Sequence, residues 1–296
     1  MKKLFKVNLD KVGLESADKA YGGYLNAFSF FETSFDGWFS DFRELLLSKM
    51  GKEYFPIYRM ADGEYRFTMG RSYNLHKRPL YREIIAVTAE KLRIKNPDKW
   101  KTSWGEEYPT SKVKELRIKL IRDIRYISTR GMLACYFNEN GLHAFEEHNK
   151  QLIPFFKRHD IVFNKGNYVP FHFICGVLVK QGWQDFFLNK HVLIVTGIDD
   201  TEEKLIKETI LDFNSSKVSF LRISKTKSME EDLDLSLFKN EKVDIILVAA
   251  GIGSANILRQ LEPLQTLTVD IGGYMNCFKD PNAHQHGGIF KLPNNV

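Results

Sequence analysis

Val243-Asp244-Ile245-Ile246-Leu247-Val248-Ala249-Ala250-Gly251-Ile252-Gly253-Ser254 is the stretch that decides the fold. Its apolar run is unbroken from Ile245 to Ala250 and is closed by two glycines. A strand with one face in water alternates apolar and polar residues. A continuous run instead fits a strand covered on both faces, as in a parallel sheet. A helix is expected after Ser254, through Leu261, and a short strand over 266–271. Upstream, His191-Val192-Leu193-Ile194-Val195-Thr196-Gly197 reads as another such strand. It is followed by a helix over 201–213 (Leu205, Ile206, Ile210 and Leu211 recur at helical spacing) and a strand over 218–223. Strand, helix and strand at these distances predict βαβ units. The expected class is α/β, a Rossmann-like, mostly parallel sheet flanked by helices.

The first half is less regular. A strand is expected over 54–60, a helix over 80–95, a helix over 111–126 capped by Ser111, and a buried strand over 131–137. Residues 24–50, rich in Phe and carrying Trp38, read as one or two amphipathic helices. Their aromatics either pack on the core or face a partner or membrane. The expected organisation is therefore an α-rich segment over 1–50 packed on a main domain over 51–296.

With 296 residues the chain can bury a substantial core. The 43 Lys and Arg exceed the 37 Asp and Glu by six. They are scattered among the acids, so a nucleic-acid tail is not expected and any membrane contact should be peripheral. Three cysteines, Cys135, Cys175 and Cys277, share no CxxC or Cys/His spacing. No basic leader runs into an apolar core, and no stretch nears about 20 apolar residues. A reducing, cytoplasmic setting is expected.

Ligands of open parallel sheets sit beyond the carboxyl ends of the strands, so polar groups there come first. Arg59-Met60-Ala61-Asp62-Gly63-Glu64 follows a strand. Two carboxylates one residue apart on a glycine-containing turn suit a hard cation, Mn2+ or Mg2+, that also takes phosphate oxygens. Arg59 offers a fork for phosphate or for orienting a carboxylate. The same residues would also serve as a plain turn with Asp62 capping a helix. Gly251, Gly253 and Ser254 form a second candidate, a phosphate or ribose cradle at a helix start. Asn256 stands where a dinucleotide fingerprint has its third glycine, which counts against NAD. Asp200 with Glu203 fits a capping box. Asp270-Ile271-Gly272-Gly273 closes a strand, and a loop with Asp280, His284 and His286 follows. Asp270 and His286 are the candidate bases.

The run Tyr58-Arg59-Met60-Ala61-Asp62-Gly63-Glu64-Tyr65-Arg66-Phe67 with Gly70 resembles the R-x-G-D-G-E opening of the GT-D type glycosyltransferases, the DUF1792 family. Val269-Asp270-Ile271-Gly272-Gly273-Tyr274 is similar to that family's D-I-G-H stretch, and the 248–254 strand and turn sit where its L-x-x-G-x-x-A segment falls. Ala61 replaces a glycine, and Gly273 replaces the histidine. The resemblance implies a Rossmann-like fold and metal-dependent transfer of a sugar from a UDP-sugar to a glycan or glycoprotein acceptor. It carries the metal and diphosphate role onto Asp62 and Glu64, and the motif arginine onto Arg59. Two rival readings remain at this stage: an α/β nucleotide enzyme such as an oxidoreductase, and a non-catalytic glycan- or nucleic-acid-binding module.

Overall fold

The computed structural model describes residues 4–8, 24–28, 34–69, 84, 88, 99–101, 106–135, 146–171 and 186–279. Among them seven strands form one sheet: β3 (Phe55–Met60), β6 (Met132–Cys135), β7 (Tyr168–Pro170), β8 (His191–Thr196), β9 (Lys217–Arg222), β10 (Ile245–Ala249) and β11 (Leu267–Asp270). Their order is β7-β6-β3-β11-β10-β8-β9, and every neighbouring pair is parallel. Two hairpins lie outside it: β1 (Leu4–Asn8) with β2 (Tyr24–Phe28), and β4 (Lys99–Lys101) with β5 (Glu107–Pro109).

The unbroken apolar runs have the predicted cause: both sheet faces are covered. Along β10, Ile245 and Leu247 belong to one core while Ile246 and Val248 belong to the other. The first core is completed by α1 (Phe35–Lys49) through Trp38, Phe42 and Leu46, and by α5 (Asp200–Asp212) through Ile206 and Ile210. The second takes α2 (Asp62–Met69), α3 (Val113–Ser128), α4 (Glu146–Arg158) and α6 (Ser254–Gln260). On α3 the buried residues Leu116, Leu120, Ile124 and Ile127 recur at helical spacing. β9, at the sheet edge, is only partly buried.

Three local expectations are corrected. Residues 24–28 form a strand paired with residues 4–8, so the helix expected over 24–50 begins only at Phe35, with Ser34 Oγ accepting from Gly37 N at 3.3 Å. Ser111 does not cap α3; it lies in a 3-10 turn, Thr110–Lys112, and α3 starts without a side-chain cap. The capping box of α5 is Asp199 with Glu202, one residue earlier than expected; Asp200 and Glu203 instead pair with Arg222. Of the helix expected over 80–95 only Ile84 and Thr88 are described, with Thr88 Oγ1 donating to Ile84 O at 2.8 Å.

Leu46 is fully buried between α1 and the sheet. Leu46→Ala should lower unfolding free energy by roughly 2–5 kcal/mol. In urea it should do so within a single transition if α1 and the sheet unfold together; a separate early transition would show that α1 folds independently.

Candidate functional site

β3 and β11 are neighbours in the sheet, with Ile57 opposite Val269. From β3 the chain passes through α2 and on to β6 on one side. From β11 it enters the 3-10 segment Gly272–Phe278, whose Phe278 O accepts from Thr209 of α5 at 2.7 Å, on the other side. Adjacent strands whose carboxyl-end connections diverge leave a crevice between them. The acidic motif and the Asp270 segment meet at this crevice.

Asp62, Gly63 and Glu64 are not a free turn but the first turn of α2. Tyr65 N donates to Ala61 O at 3.1 Å, so the helix is under way from Ala61. Glu64, buried at 7% exposure, reaches back through Oε2 to Ala61 N at 3.0 Å. That is the glutamate half of a capping box; Ala61 has no oxygen for the other half. The bond occupies one of about four acceptor positions on the carboxylate. Gly63 is not needed for the bend: it has no positive φ, and among the described residues a Cβ there would meet nothing within 4 Å. First-turn N–H groups have no intrahelical acceptor.

Arg59 is placed differently from a phosphate fork. It is 8% exposed, its guanidinium lies over the Phe171 ring at 4.2 Å and the Tyr274 ring at 4.8 Å, and Nη1 donates to Ile271 O. It clamps β3 to the segment leaving β11 and to the residue after β7.

Asp270 is 3% exposed and accepts three hydrogen bonds: Arg59 N on Oδ2 at 3.2 Å, and Ser254 Oγ and Gly272 N on Oδ1, both at 3.1 Å. Burial pushes its carboxyl up to about 6, against the pull of the Arg59 charge and of these bonds. Tyr58, fully buried, faces both acids electrostatically; burial first, then Glu64 and Asp270, hold its hydroxyl protonated. His286, with His284 and Asp280, lies outside the described residues.

The phosphate cradle expected at Gly251, Gly253 and Ser254 is corrected by what fills it. Gly251 has φ 54°, and the turn wraps the carboxylate of Glu106, whose Oε2 accepts from Ile252 N at 3.3 Å and whose Oε1 accepts from Ser228 Oγ. Glu106 is 2% exposed and takes the place an anion would have; a phosphate there would meet a like charge. A Cβ on Gly253 would run into Ser228. Ser254 Oγ is committed to Asp270. Asn256, the departure from the dinucleotide pattern, donates to Ser228 O at 3.0 Å and to Glu231 O at 2.9 Å, tying the 228–231 loop under the turn. Sequence reasoning missed Glu106 and Tyr58. Nothing local marks a loop glutamate that pairs 122 residues away. Asn256 was the one visible signal that the turn is built for packing.

For a divalent ion, the candidate donors remain Asp62 and Glu64, whose backbones lie in the first turn of α2. Their oxygen chemistry and their place at a strand's carboxyl end fit Mg2+ or Mn2+ shared with phosphate oxygens. Among the described residues no cluster of three or more His, Cys, Asp or Glu is assembled. No helix among them is long and apolar enough to cross a membrane.

No family model matches the chain, and no curated protein does. Three solved structures are similar to it. One, "The highly conserved domain of unknown function 1792 has a distinct glycosyltransferase fold", is 14% identical with TM-score 0.46, covering 87% of this chain and 88% of its own. A second, "A New Glycosyltransferase (DUF1792) from Streptococcus sanguinis", is 13% identical with TM-score 0.48, covering 87% and 93%. A third, "Selenomethionine substituted structure of domain of unknown function 1792 (DUF1792)", is 14% identical with TM-score 0.45, covering 86% and 88%. A likeness of this degree assigns no activity to the chain.

Because the folded carboxyl of Asp270 titrates near 6 and the unfolded one near 3.8, its contribution to stability is complete below the unfolded value and is lost as pH rises through 6. Between these values unfolding free energy should fall by roughly 1.4 kcal/mol per pH unit from this group. Denaturation at a series of pH values should show this slope in the wild type. Asp270→Asn should lose the slope while being about 1–3 kcal/mol less stable overall, since an amide NH2 would face a backbone N–H.

Proposed function

We propose that the chain is a glycosyltransferase that moves a sugar from a nucleotide-diphosphate donor, a UDP-sugar, to a glycan or glycoprotein acceptor. The reaction would take place in the crevice between β3 and β11. The single observation that carries this reading is the convergence of two motifs far apart in sequence: the acidic first turn of α2 and the Asp270-Ile271-Gly272 segment share one crevice, joined by Arg59 N and Asp270 Oδ2 across 211 positions. Both are the stretches that resemble the GT-D type enzymes.

Asp62 and Glu64 would hold a divalent ion, Mn2+ or Mg2+, which supplies charge neutralisation for the departing diphosphate. The first-turn N–H groups of α2 would give phosphate oxygens a seat that the Glu106-filled turn does not. Arg59 and Asp270 act as positioning residues: one is sandwiched between rings, the other is buried and held by three donors, and together they fix α2 against the Gly272 segment. Removal of the acceptor proton therefore falls to another group, and His286 is the candidate. The oxidoreductase alternative loses its pyrophosphate seat to Glu106.

Melting temperature should rise with UDP or one UDP-sugar only when manganese is present, by mass action. The rise should vanish in Asp62→Ala. A shift indifferent to metal and to Asp62 would sink the proposal. Gly63→Ala separates packing from ligand approach. Among the described residues the substitution meets no atom within 4 Å, so the unliganded protein should melt unchanged or be stabilised by about 0.4–1 kcal/mol, while the nucleotide response weakens. An unaltered response would show that ligand does not pass over this flank.

A further inference from the structure

At the opposite end of the sheet lies a pocket of about 480 Å³ lined by Arg122, Arg125, Tyr126, Thr129, Asp160 and Arg259. α3 feeds through Gly131 into the amino end of β6, so its carboxyl-terminal half, which supplies three of these residues with Thr129 just after it, sits away from the β3–β11 crevice. The volume suits a small molecule. Arg122, Arg125, Tyr126 and Thr129 recur at i, i+3, i+4 and i+7, which brings them to one helix face. Three guanidinium groups against the Asp160 carboxylate in the lining and the buried Asp123 behind it leave the concavity cationic by one charge.

The charges are organised from behind. Asp123 is completely buried; its Oδ1 accepts from Arg122 Nε and Nη2, both at 3.3 Å. Arg259 Nε lies 2.9 Å from the same oxygen, an ion-pair contact outside hydrogen-bond geometry. Among the described residues neither Arg259 Nε nor Asp123 Oδ2 has a hydrogen-bond partner, although both atoms are buried. Buried polar atoms are nearly always satisfied, so an unsatisfied pair in one cluster asks for a cause. Asp123 holds Arg259 Nε by charge alone. Three guanidinium groups gathered at one concavity match the oxygens of a phosphate group, which accepts bidentate bonds.

We propose that this pocket is a second ligand site, which binds a phosphate-bearing small molecule through Arg122, Arg125 and Arg259. Nothing in the site depends on the transferase reading, and none of its residues borders the β3–β11 crevice.

Calorimetric titration of the intact protein with inorganic phosphate and with glucose 1-phosphate tests it. Saturable binding at or below about 1 mM is expected for one of the two probes. Arg125→Gln, an exposed substitution, and Arg122→Gln should each weaken it about tenfold or more through loss of charge-assisted bonds. In Arg125→Gln the melting temperature and the manganese-dependent nucleotide response should be unchanged, whereas Arg122→Gln also takes a partner from the buried Asp123 and should melt lower. No saturable binding, or binding that ignores both substitutions, overturns the site and leaves the arginines as solvated partners of Asp123 and of the helix end. Binding to phosphatidylglycerol vesicles without binding of either free phosphate overturns it too, because the arginines would then form a membrane-facing surface.

Discussion

Asp270 is the interaction on which the rest depends. It ends β11 in the middle of the sheet and accepts bonds from β3, from the first residue of α6 and from its own following turn. Burying a carboxylate carries a large desolvation cost. Three donors and the nearby Arg59 charge offset it, and the carboxyl's raised titration point reflects what remains uncompensated. The result is geometric: the end of β3, and so the start of α2, is fixed relative to the Gly272 segment, which leaves on the other face of the sheet.

Arg59 and Glu106 repeat this logic. Each is a charged side chain withdrawn from solvent, and each joins segments distant in sequence. Arg59 does so between two rings and a carbonyl, Glu106 between a serine hydroxyl and a turn N–H. Groups that resemble ligand-binding chemistry in the sequence thus serve to hold the frame. Among the described residues no such group fills the flank of α2 at Gly63.

Much of the sheet was legible because its strands are buried on both faces: β8 and β10 are apolar at consecutive positions, a pattern few other environments permit. The 24–28 strand was not legible, since a five-residue apolar-rich run carries no period that separates strand from helix, and its partner lies at residues 4–8. The one-residue displacement of the α5 cap has a similar cause. Asp199/Glu202 and Asp200/Glu203 have the same spacing, and only the tertiary contact of Arg222 with the second pair decides between them. At the site, the position of Asp62 and Glu64 at a strand's carboxyl end was readable, as was Asp270. The roles of Arg59 and of the Gly251 turn were not, because they are set by Phe171, Tyr274 and Glu106, which no local pattern connects to them.

The measurement that tests the central claim most directly is release of nucleoside diphosphate from a panel of nucleotide sugars, by wild type and by Glu64→Gln at matched manganese. Gln keeps an oxygen for the Ala61 N–H, so the fold should survive while the charge is lost. The account predicts metal-dependent release from one donor, reduced by about 100-fold or more in the variant. Release from no donor, or equal release by both proteins, would contradict it.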